Sequence, residues 1–230
     1  MVLKIVKTVW PVMLTYVAVG APCGMIMGQT GMEPWMVFAL SSTFVTGSGQ
    51  FMICNLWLAG VPAPSIIASV AAISSRFALY SASLAPHLAG ASKRQTLAVT
   101  ATLTEEAYGI SLAKLVEGDG WGPKEAFALN AILIATWGVS CTAGAVAGAA
   151  IDVPTAIAGF VCTSLFICLL FSQRLSRGNV VAAVSGAMSV AMFKFLGLAN
   201  IAVPASVVVG VAIALVCDAL PDGRGARDAR

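Results

Sequence analysis

The sequence predicts an all-α fold: a polytopic helical membrane protein with seven or eight transmembrane segments, some of them broken. Of the 230 residues, 59% are hydrophobic and 10% are charged, and the mean hydropathy is +0.91. A soluble domain is about 45–50% apolar and about 25% charged. Composition therefore argues against a water-soluble enzyme and against a nucleic-acid-binding protein. The apolar runs are continuous and lack the alternation of barrel strands, which indicates spanning helices.

Eight apolar segments can be drawn along the chain, each about as long as a membrane-spanning helix. They cover residues 8–29, 35–59, 63–90, 95–115, 126–151, 154–173, 179–198 and 202–220. We expect a single transmembrane domain over residues 1–222 and a short basic cytoplasmic tail over residues 223–230. The fourth segment is the most polar. If it is re-entrant and does not cross the bilayer, the number of spans is seven.

The placement of lysine and arginine predicts the orientation, because these residues are enriched in cytoplasmic loops. With eight spans and an inner N-terminus, nine basic residues lie inside and three lie outside, namely Lys93, Arg94 and Lys194. We therefore expect both termini in the cytoplasm. The apolar run after Lys7 lacks a small-residue cleavage site, so it is interpreted as a retained span and not as a signal peptide.

The first two segments contain residues that interrupt helices. The run Gly20–Gly24 includes Pro22, which removes a backbone donor. The run Gly47–Gln50 has two glycines around a serine and ends in a polar amide at mid-membrane depth. Unwound backbone occurs in a bilayer where it is buried in protein or faces a watery cavity, whereas small residues also let helices pack closely. Packing is the preferred interpretation for the first run, and a functional break is preferred for the second.

The third and fourth segments carry charges at membrane depth. Arg76 stands near the middle of its segment, where a charge costs about 2.5–3.5 kcal/mol on insertion scales, and Tyr80 shares its helical face. Glu105 and Glu106 lie in the next segment, so an antiparallel neighbour brings one of them close to Arg76. The pair either only fixes helix register, or Arg76 or a helix end holds a substrate carboxylate while one glutamate takes and releases a proton. Adjacent residues of a helix point about 100° apart, so the two glutamates are expected to differ in role.

The fifth segment shows a faint repeat of the first. At an offset of 120 residues, three residues of the first part of the chain have counterparts: Gly24, Gly28 and Pro34 match Gly144, Gly148 and Pro154. Transporters are often built from internal repeats. Because the chain has 22 glycines, a chance match is the alternative.

No metal site and no cofactor are expected. The six cysteines stand in apolar stretches, and one histidine leaves few ligands for a metal. No G-x-x-x-x-G-K-[ST] loop is present, so the chain is not expected to hydrolyse ATP. An intramembrane enzyme is disfavoured. The glycines around Ser48 do not have the spacing of a rhomboid-type protease, His87 is expected at the membrane interface, and Glu105-Glu106 lacks the histidines of a metalloprotease. A channel or a structural subunit is the other alternative to a secondary transporter.

Three blocks of the sequence resemble the AzlC-type branched-chain amino acid permeases. They are Gly47-Ser48-Gly49-Gln50-Phe51, Arg76-Phe77-Ala78-Leu79-Tyr80 and Thr104-Glu105-Glu106-Ala107-Tyr108. They are similar to that family's Gly-Ala-Ser-Gln-Phe, Asn-Leu-Arg-His-Leu-Leu-Tyr and Thr-Asp-Glu-Thr-Phe elements. The sequence departs from the family at four positions, with Gly49 for Ser, Ser75 for Asn, Phe77 for His and Glu105 for Asp. The resemblance implies the large subunit of a two-component exporter of hydrophobic amino acids in the bacterial inner membrane, with a small AzlD-type membrane subunit as its partner.

These observations give one expected site and one expected route. The substrate-binding candidates are Gly47, Ser48, Gly49, Gln50, Arg76 and Tyr80, and the proton-coupling candidates are Glu105 and Glu106. We expect the amino acid to enter from the cytoplasm between the broken first and second segments. The expected apolar wall of the site consists of Phe44, Phe51 and Met52. Because a methylene group changes binding by only about 1–3 kcal/mol, broad specificity is expected.

Overall fold

The computed structural model describes residues 1–88, 90–118, 120–150 and 177–219, together with residues 160, 163, 164 and 167. Within this part of the chain every regular element is helical, which confirms the all-α prediction. The chain divides into two compact units, one of Met1–Gly60 with Ile73–Ser164 and one of Val61–Ala72 with Leu165–Arg230. Most of the predicted sixth segment and the whole basic tail lie outside the described residues.

Ten α-helices lie in the described part of the chain. They are α1 (Val2–Gln29), α2 (Pro34–Thr43), α3 (Gly47–Leu58), α4 (Ala63–Ser74), α5 (Arg76–Leu84), α6 (Lys93–Ala101), α7 (Glu105–Glu117), α8 (Pro123–Ala150), α9 (Arg177–Phe195) and α10 (Ala199–Ala219). Helix α5 continues into a 3₁₀ turn over Ala85–Leu88.

Four stretches are long and apolar enough to cross a membrane: Val2–Gln29, Ala63–Leu88, Pro123–Ala150 and Gly178–Phe195. The predicted second and fourth segments are each divided into two helices of 9–13 residues, which are separately too short to span. A count of seven or eight spans therefore stays a prediction, as does the internal repeat.

Helices α1 and α8 form the closest helix pair of the first unit. A Cβ atom on Gly24 would overlap the carbonyl of Cys141, and one on Gly144 would overlap the carbonyl of Ala21. Close backbone approach through small residues is the ordinary way in which helices pack in a membrane. The packing interpretation of these glycines is thus confirmed.

Helix α1 continues through Pro22, so the prediction of a broken first segment is wrong. The Ser140 hydroxyl of α8 donates to the carbonyl of Val17, in the turn before the proline, at 3.1 Å. Neighbouring helices and hydroxyl groups allow proline within a spanning helix, because they stabilise the backbone groups that the proline disturbs. The predicted substrate route between two broken segments is corrected accordingly, because only the second segment is broken.

Contacts between α1 and α8 advance in the same direction along both helices. Val17 contacts Ser140, Ala21 lies on Gly144, and Met25 lies on Gly148. The two helices are therefore parallel, and their first residues lie at the same end of the unit.

The second segment breaks at Phe44–Thr46, between α2 and α3. The Thr46 side chain accepts a hydrogen bond from the backbone N–H of Gly49 at 3.2 Å and so caps α3. A threonine at this position satisfies one of the free donors of a helix start. The predicted break is confirmed, but it lies before Gly47, and residues Gly47–Gln50 form the first turn of α3.

The fourth segment breaks at Thr102–Thr104, between α6 and α7. The Thr104 side chain caps α7 by accepting from the N–H of Ala107 at 3.0 Å. At the other side of the break, buried Asn130 of α8 donates to the carbonyl of Val99 at 2.9 Å and to Thr102 Oγ1 at 3.0 Å. This side-chain amide stabilises the end of α6, which lacks further helical partners.

The second unit contains the close pair of α9 and α10. A Cβ atom on Gly210 would lie 3.2 Å from the carbonyl oxygen of Ala182, so the backbones approach closely here too. Large apolar side chains such as Met188 and Phe195 are exposed on α9, as expected of a helix that faces lipid.

Candidate functional site

The first residues of three helices meet around Arg76, within the first unit. Arg76 begins α5, and its guanidinium donates to Ser48 Oγ in the first turn of α3 at 2.6 Å. The same group pairs with Glu105, which begins α7. Arg76, Ser48 and Glu105, all of them predicted site residues, are therefore in direct contact.

The ion pair of Arg76 and Glu105 is half-buried, with side chains 28% and 31% exposed. Such a pair tolerates the loss of one partner poorly, because the remaining charge then stands unpaired in a medium of low dielectric constant. The Arg76 Nε atom is buried and has no hydrogen-bond partner among the described residues. The guanidinium therefore retains donor capacity beyond its two present partners.

Glu106, next to Glu105, has a different environment. The hydroxyl of Tyr16 on α1 donates to Glu106 Oε2 at 2.6 Å and lies 3.0 Å from Thr104 Oγ1. Tyr16 is buried, whereas Glu106 is exposed. No basic side chain pairs with Glu106 in the described part of the chain. Adjacent glutamates thus have different partners, one a guanidinium and the other a phenol.

Trp137 of α8 connects Tyr16 to the break of the second segment. Its ring meets that of Tyr16 edge to face, and its Nε1 donates to Gln50 Oε1 at 3.0 Å. A Cβ atom on Gly47 would lie 3.0 Å from the same indole ring, so this position is tightly packed.

Gln50 is fully buried, and both ends of its amide are engaged. Its nitrogen donates to the carbonyl of Phe44 at 2.6 Å, while its oxygen accepts from Ser41 and from Trp137. The amide thereby stabilises the irregular backbone between α2 and α3. It offers no free hydrogen-bonding end to a ligand in this arrangement.

Tyr80 lies one turn after Arg76 on α5 and stacks on Tyr108 of α7, with ring centroids 4.6 Å apart. The Tyr108 hydroxyl lies 3.0 Å from Ser83 Oγ. Both rings border an apolar cluster of Leu84, Leu88, Val99, Leu103 and Ala126. Tyr80 thus joins α5 to α7 beside the ion pair.

The residues expected to form the apolar wall differ in accessibility. Phe51 is fully buried, whereas Phe44 and Met52 are half-buried. The Phe44 ring lies against the first turn of α3, since a Cβ atom on Gly49 would lie 3.0 Å from it. Phe44 is therefore the aromatic residue of this set that borders the site.

Ser48 is not part of a serine protease dyad. Its hydroxyl accepts from Arg76 and lies 3.4 Å from Thr46 Oγ1. His87 stands in the 3₁₀ turn after α5, is exposed, and makes no hydrogen bond to Ser48.

Three residues of the site were missed by sequence reasoning, namely Tyr16, Asn130 and Trp137. Tyr16 and Trp137 each occupy the middle of a 28-residue apolar helix. Tyrosine and tryptophan are usually enriched at the membrane interfaces, so their mid-segment position was the available signal. Asn130 likewise is a polar residue within an apolar run.

Comparisons with known proteins concern the same part of the chain. A sequence profile of the family described as AzlC protein matches residues 11–151, which contain every residue of the site. The chain is also 26% identical over 209 residues to the inner membrane protein YgaZ of Escherichia coli (strain K12), covering 87% of this chain and 82% of that protein. No solved structure matches the chain.

Proposed function

Because this chain belongs to the AzlC protein family, we propose that it is a secondary transporter that exports branched-chain and other hydrophobic amino acids. The observation that carries the proposal is Arg76, which stands where the first residues of α3, α5 and α7 meet. A transporter needs broken helices, polar groups at mid-depth and a titratable acid. This site contains all three.

Recognition of the substrate carboxylate is assigned to Arg76. A guanidinium forms charge-assisted hydrogen bonds with carboxylates, and the Arg76 side chain is 28% exposed beside Ser48. The first turns of α3 and α7 add the positive ends of two helix dipoles, which favour an anion. Ser48 lies beside the guanidinium, and the carboxylate competes with Glu105 for it.

The depth of the site supports a binding site near the middle of the bilayer. Tyr16 lies at the midpoint of α1, and at a rise of about 1.5 Å per residue it is roughly 20 Å from either end of the helix. Its hydrogen bond with Glu106 places the start of α7 at that depth. Transporters commonly bind their substrates at this level.

The remaining site residues have supporting roles in the proposal. Gly47 and Gly49 belong to the first turn of α3, and Gln50 maintains the break before it. Tyr80 packs beside the ion pair, and half-buried Phe44 borders the first turn of α3. The substrate approaches through the broken second segment.

Location, orientation, coupling and partnership are further parts of the proposal. The name of the similar protein YgaZ supports the bacterial inner membrane, and Lys4 and Lys7 favour a cytoplasmic N-terminus. Coupling to protons is assigned to the acidic pair Glu105 and Glu106. The resemblance to the AzlC-type permeases supports a small AzlD-type membrane subunit as the partner.

Efflux of branched-chain amino acids from loaded cells tests the proposal. Bacteria are loaded with a valine- or isoleucine-containing dipeptide while expressing this chain, the AzlD-type subunit, or both. We expect faster efflux when both proteins are present. The Arg76→Ala variant, present in the membrane at the same abundance as the wild type, should not accelerate efflux. Unchanged efflux with both proteins in the membrane would contradict the proposed substrate.

A further inference from the structure

We propose that Glu106, and not Glu105, is the carboxylate that takes and releases the coupled proton, and that Tyr16 positions it. The inference rests on the proposed transport function and assigns distinct roles to two adjacent acids. Glu105 is then the counter-ion of Arg76.

The two glutamates differ in their charge partners. Glu105 pairs with Arg76, so a proton on Glu105 would leave a half-buried guanidinium without its countercharge. Glu106 pairs with no basic side chain in the described part of the chain. A proton on Glu106 removes an uncompensated charge and breaks no ion pair.

The position of Glu106 also favours its protonation and deprotonation. Its carboxylate bonds to Tyr16 at the midpoint of a span, where an unpaired charge is disfavoured unless it faces water. The side chain is exposed and not enclosed by the rest of the protein, and the proposal requires that its exposed side faces a water-filled passage. A carboxyl group at this depth with access to water fits repeated protonation and deprotonation.

The hydrogen bonds around Tyr16 suit both protonation states. When Glu106 is ionised, the phenol donates to Oε2, and its oxygen lies 3.0 Å from Thr104 Oγ1. When Glu106 is protonated, its O–H donates to the phenol oxygen, and the phenol proton turns to Thr104 Oγ1. The added proton comes from water and resides on Glu106, and no other group changes its charge.

The other ionisable groups near Glu106 lie on α5 and α7. Arg76 and Tyr80 lie on α5, and Glu105 and Tyr108 lie on α7 itself. The charged residues of α6 and α8 stand in the first turns of those helices, away from the α6/α7 break: Lys93, Arg94, Lys124 and Glu125.

Infrared difference spectroscopy during a pH titration tests the assignment on the purified full-length protein. The C=O stretch of protonated carboxylic acids should grow as the pH falls, and one band within it should be absent from Glu106→Gln but present in Glu105→Gln. Tyr16→Phe should shift its frequency, because one hydrogen bond to the group is lost. Glu117→Gln is the control, because Glu117 pairs with Lys114 on the exposed part of α7.

Two outcomes would overturn the assignment: a band that depends on Glu105 and not on Glu106, or no band that is lost in Glu106→Gln. If Glu106→Gln does not fold, Glu106→Asp keeps the test decisive. It retains the carboxyl group, so the band should persist at a shifted frequency. An unshifted band in a folded Asp variant would assign it to another group.

Transport assays in proteoliposomes separate this inference from the proposed function. With the partner subunit present, Glu106→Gln should lose the acceleration of valine transport by a pH gradient while it still exchanges valine for valine above the background of protein-free liposomes. Glu105→Gln should lose exchange by at least about tenfold, because Arg76 is left unpaired. Tyr16→Phe should shift the pH midpoint of driven transport while the KM for valine stays unchanged.

The role of Glu106 and the proposed transport function can fail separately, with different experimental results. Persistent acceleration by a pH gradient in Glu106→Gln would reject the role of Glu106. Absence of any amino acid exchange by the wild type would reject the proposed function, while the infrared titration would still decide whether Glu106 takes a proton.

Discussion

The rings of Tyr16 and Trp137 meet edge to face, with centroids 5.4 Å apart and planes inclined at 76°, each at the midpoint of its helix. Edge-to-face contact is a favoured aromatic geometry. Through Tyr16 the contact reaches Glu106 in α7, and through Trp137 it reaches Gln50 in α3. Glu105 reaches α3 by a second route through Arg76 and Ser48. The starts of α3 and α7 are thus connected twice.

Replacing Trp137 with Phe should destabilise the protein by about 1–2 kcal/mol, because Gln50 Oε1 loses its indole donor in a buried position. Trp137→Ala should cost more, about 3–5 kcal/mol, because it also leaves a cavity. Thermal unfolding in detergent measures both. The control is Trp10→Phe, since Trp10 is 55% exposed and its replacement should change stability by less than about 0.5 kcal/mol. Equal effects at the two tryptophans would contradict the role of Trp137.

A side chain at position 24 should separate α1 from α8. Gly24→Ala places a Cβ atom on the carbonyl of Cys141, so we expect a loss of about 1–3 kcal/mol or a failure to fold. Gly109→Ala is the control, because nothing lies within 4 Å of its Cβ position. That change should be neutral or stabilising by about 0.5–1 kcal/mol, since alanine favours a helix. Recovery of monodisperse protein from membranes reports both. A well-folded Gly24→Ala variant would contradict the close packing.

Removing one partner of the ion pair should harm the protein more than removing both. Arg76→Gln or Glu105→Gln alone leaves a half-buried charge and should cost about 3–5 kcal/mol, whereas the double variant should be closer to the wild type. A double-mutant cycle on thermal stability measures the coupling. The exposed pair Lys114–Glu117 provides the control cycle, with an expected coupling of about 0.2–1 kcal/mol. Additive losses at Arg76 and Glu105 would show that the pair is not coupled.

Gln50→Leu should affect folding and leave substrate affinity unchanged. The leucine leaves the Phe44 carbonyl without its donor, so we expect a loss of about 1–3 kcal/mol in stability. Among the molecules that do fold, the KM for transport should remain that of the wild type, because the buried amide already makes hydrogen bonds within the protein at both its nitrogen and its oxygen. A stable variant with a raised KM would instead make Gln50 a substrate contact, as its position in the sequence had suggested.

The sequence was sufficient to predict that Arg76 comes close to one of the two adjacent glutamates, and the structure identifies Glu105 as that partner. A charge within a bilayer requires compensation, and few ionisable residues were available at the right depth. The break in the second segment was likewise predictable from Gly47–Gln50. The predicted location of the break was wrong by a few residues. Thr46 is the N-cap of α3, so both glycines belong to the first turn of that helix.

The contacts of α1 with α8 could not be derived from local sequence. Pro22 and its flanking glycines are compatible with a break and with close packing, and the neighbour decides between them. Tyr16 and Trp137 gain their roles from that same neighbour, so they had no local motif. The end of α6 depends on Asn130, which is 28 residues further along the chain from Thr102.

The parallel course of α1 and α8 limits the topology of the chain between them. When two parallel helices both cross a bilayer, the number of crossings between them must be odd. Three segments lie between α1 and α8, so a fold in which the fourth segment alone turns back would reverse α8. The parallel course also puts Lys4 and Lys124, each in the first turn of its helix, at the same end of the helix pair. If α1 and α8 both cross the bilayer, two helix starts that are 120 residues apart in sequence share one electrostatic environment.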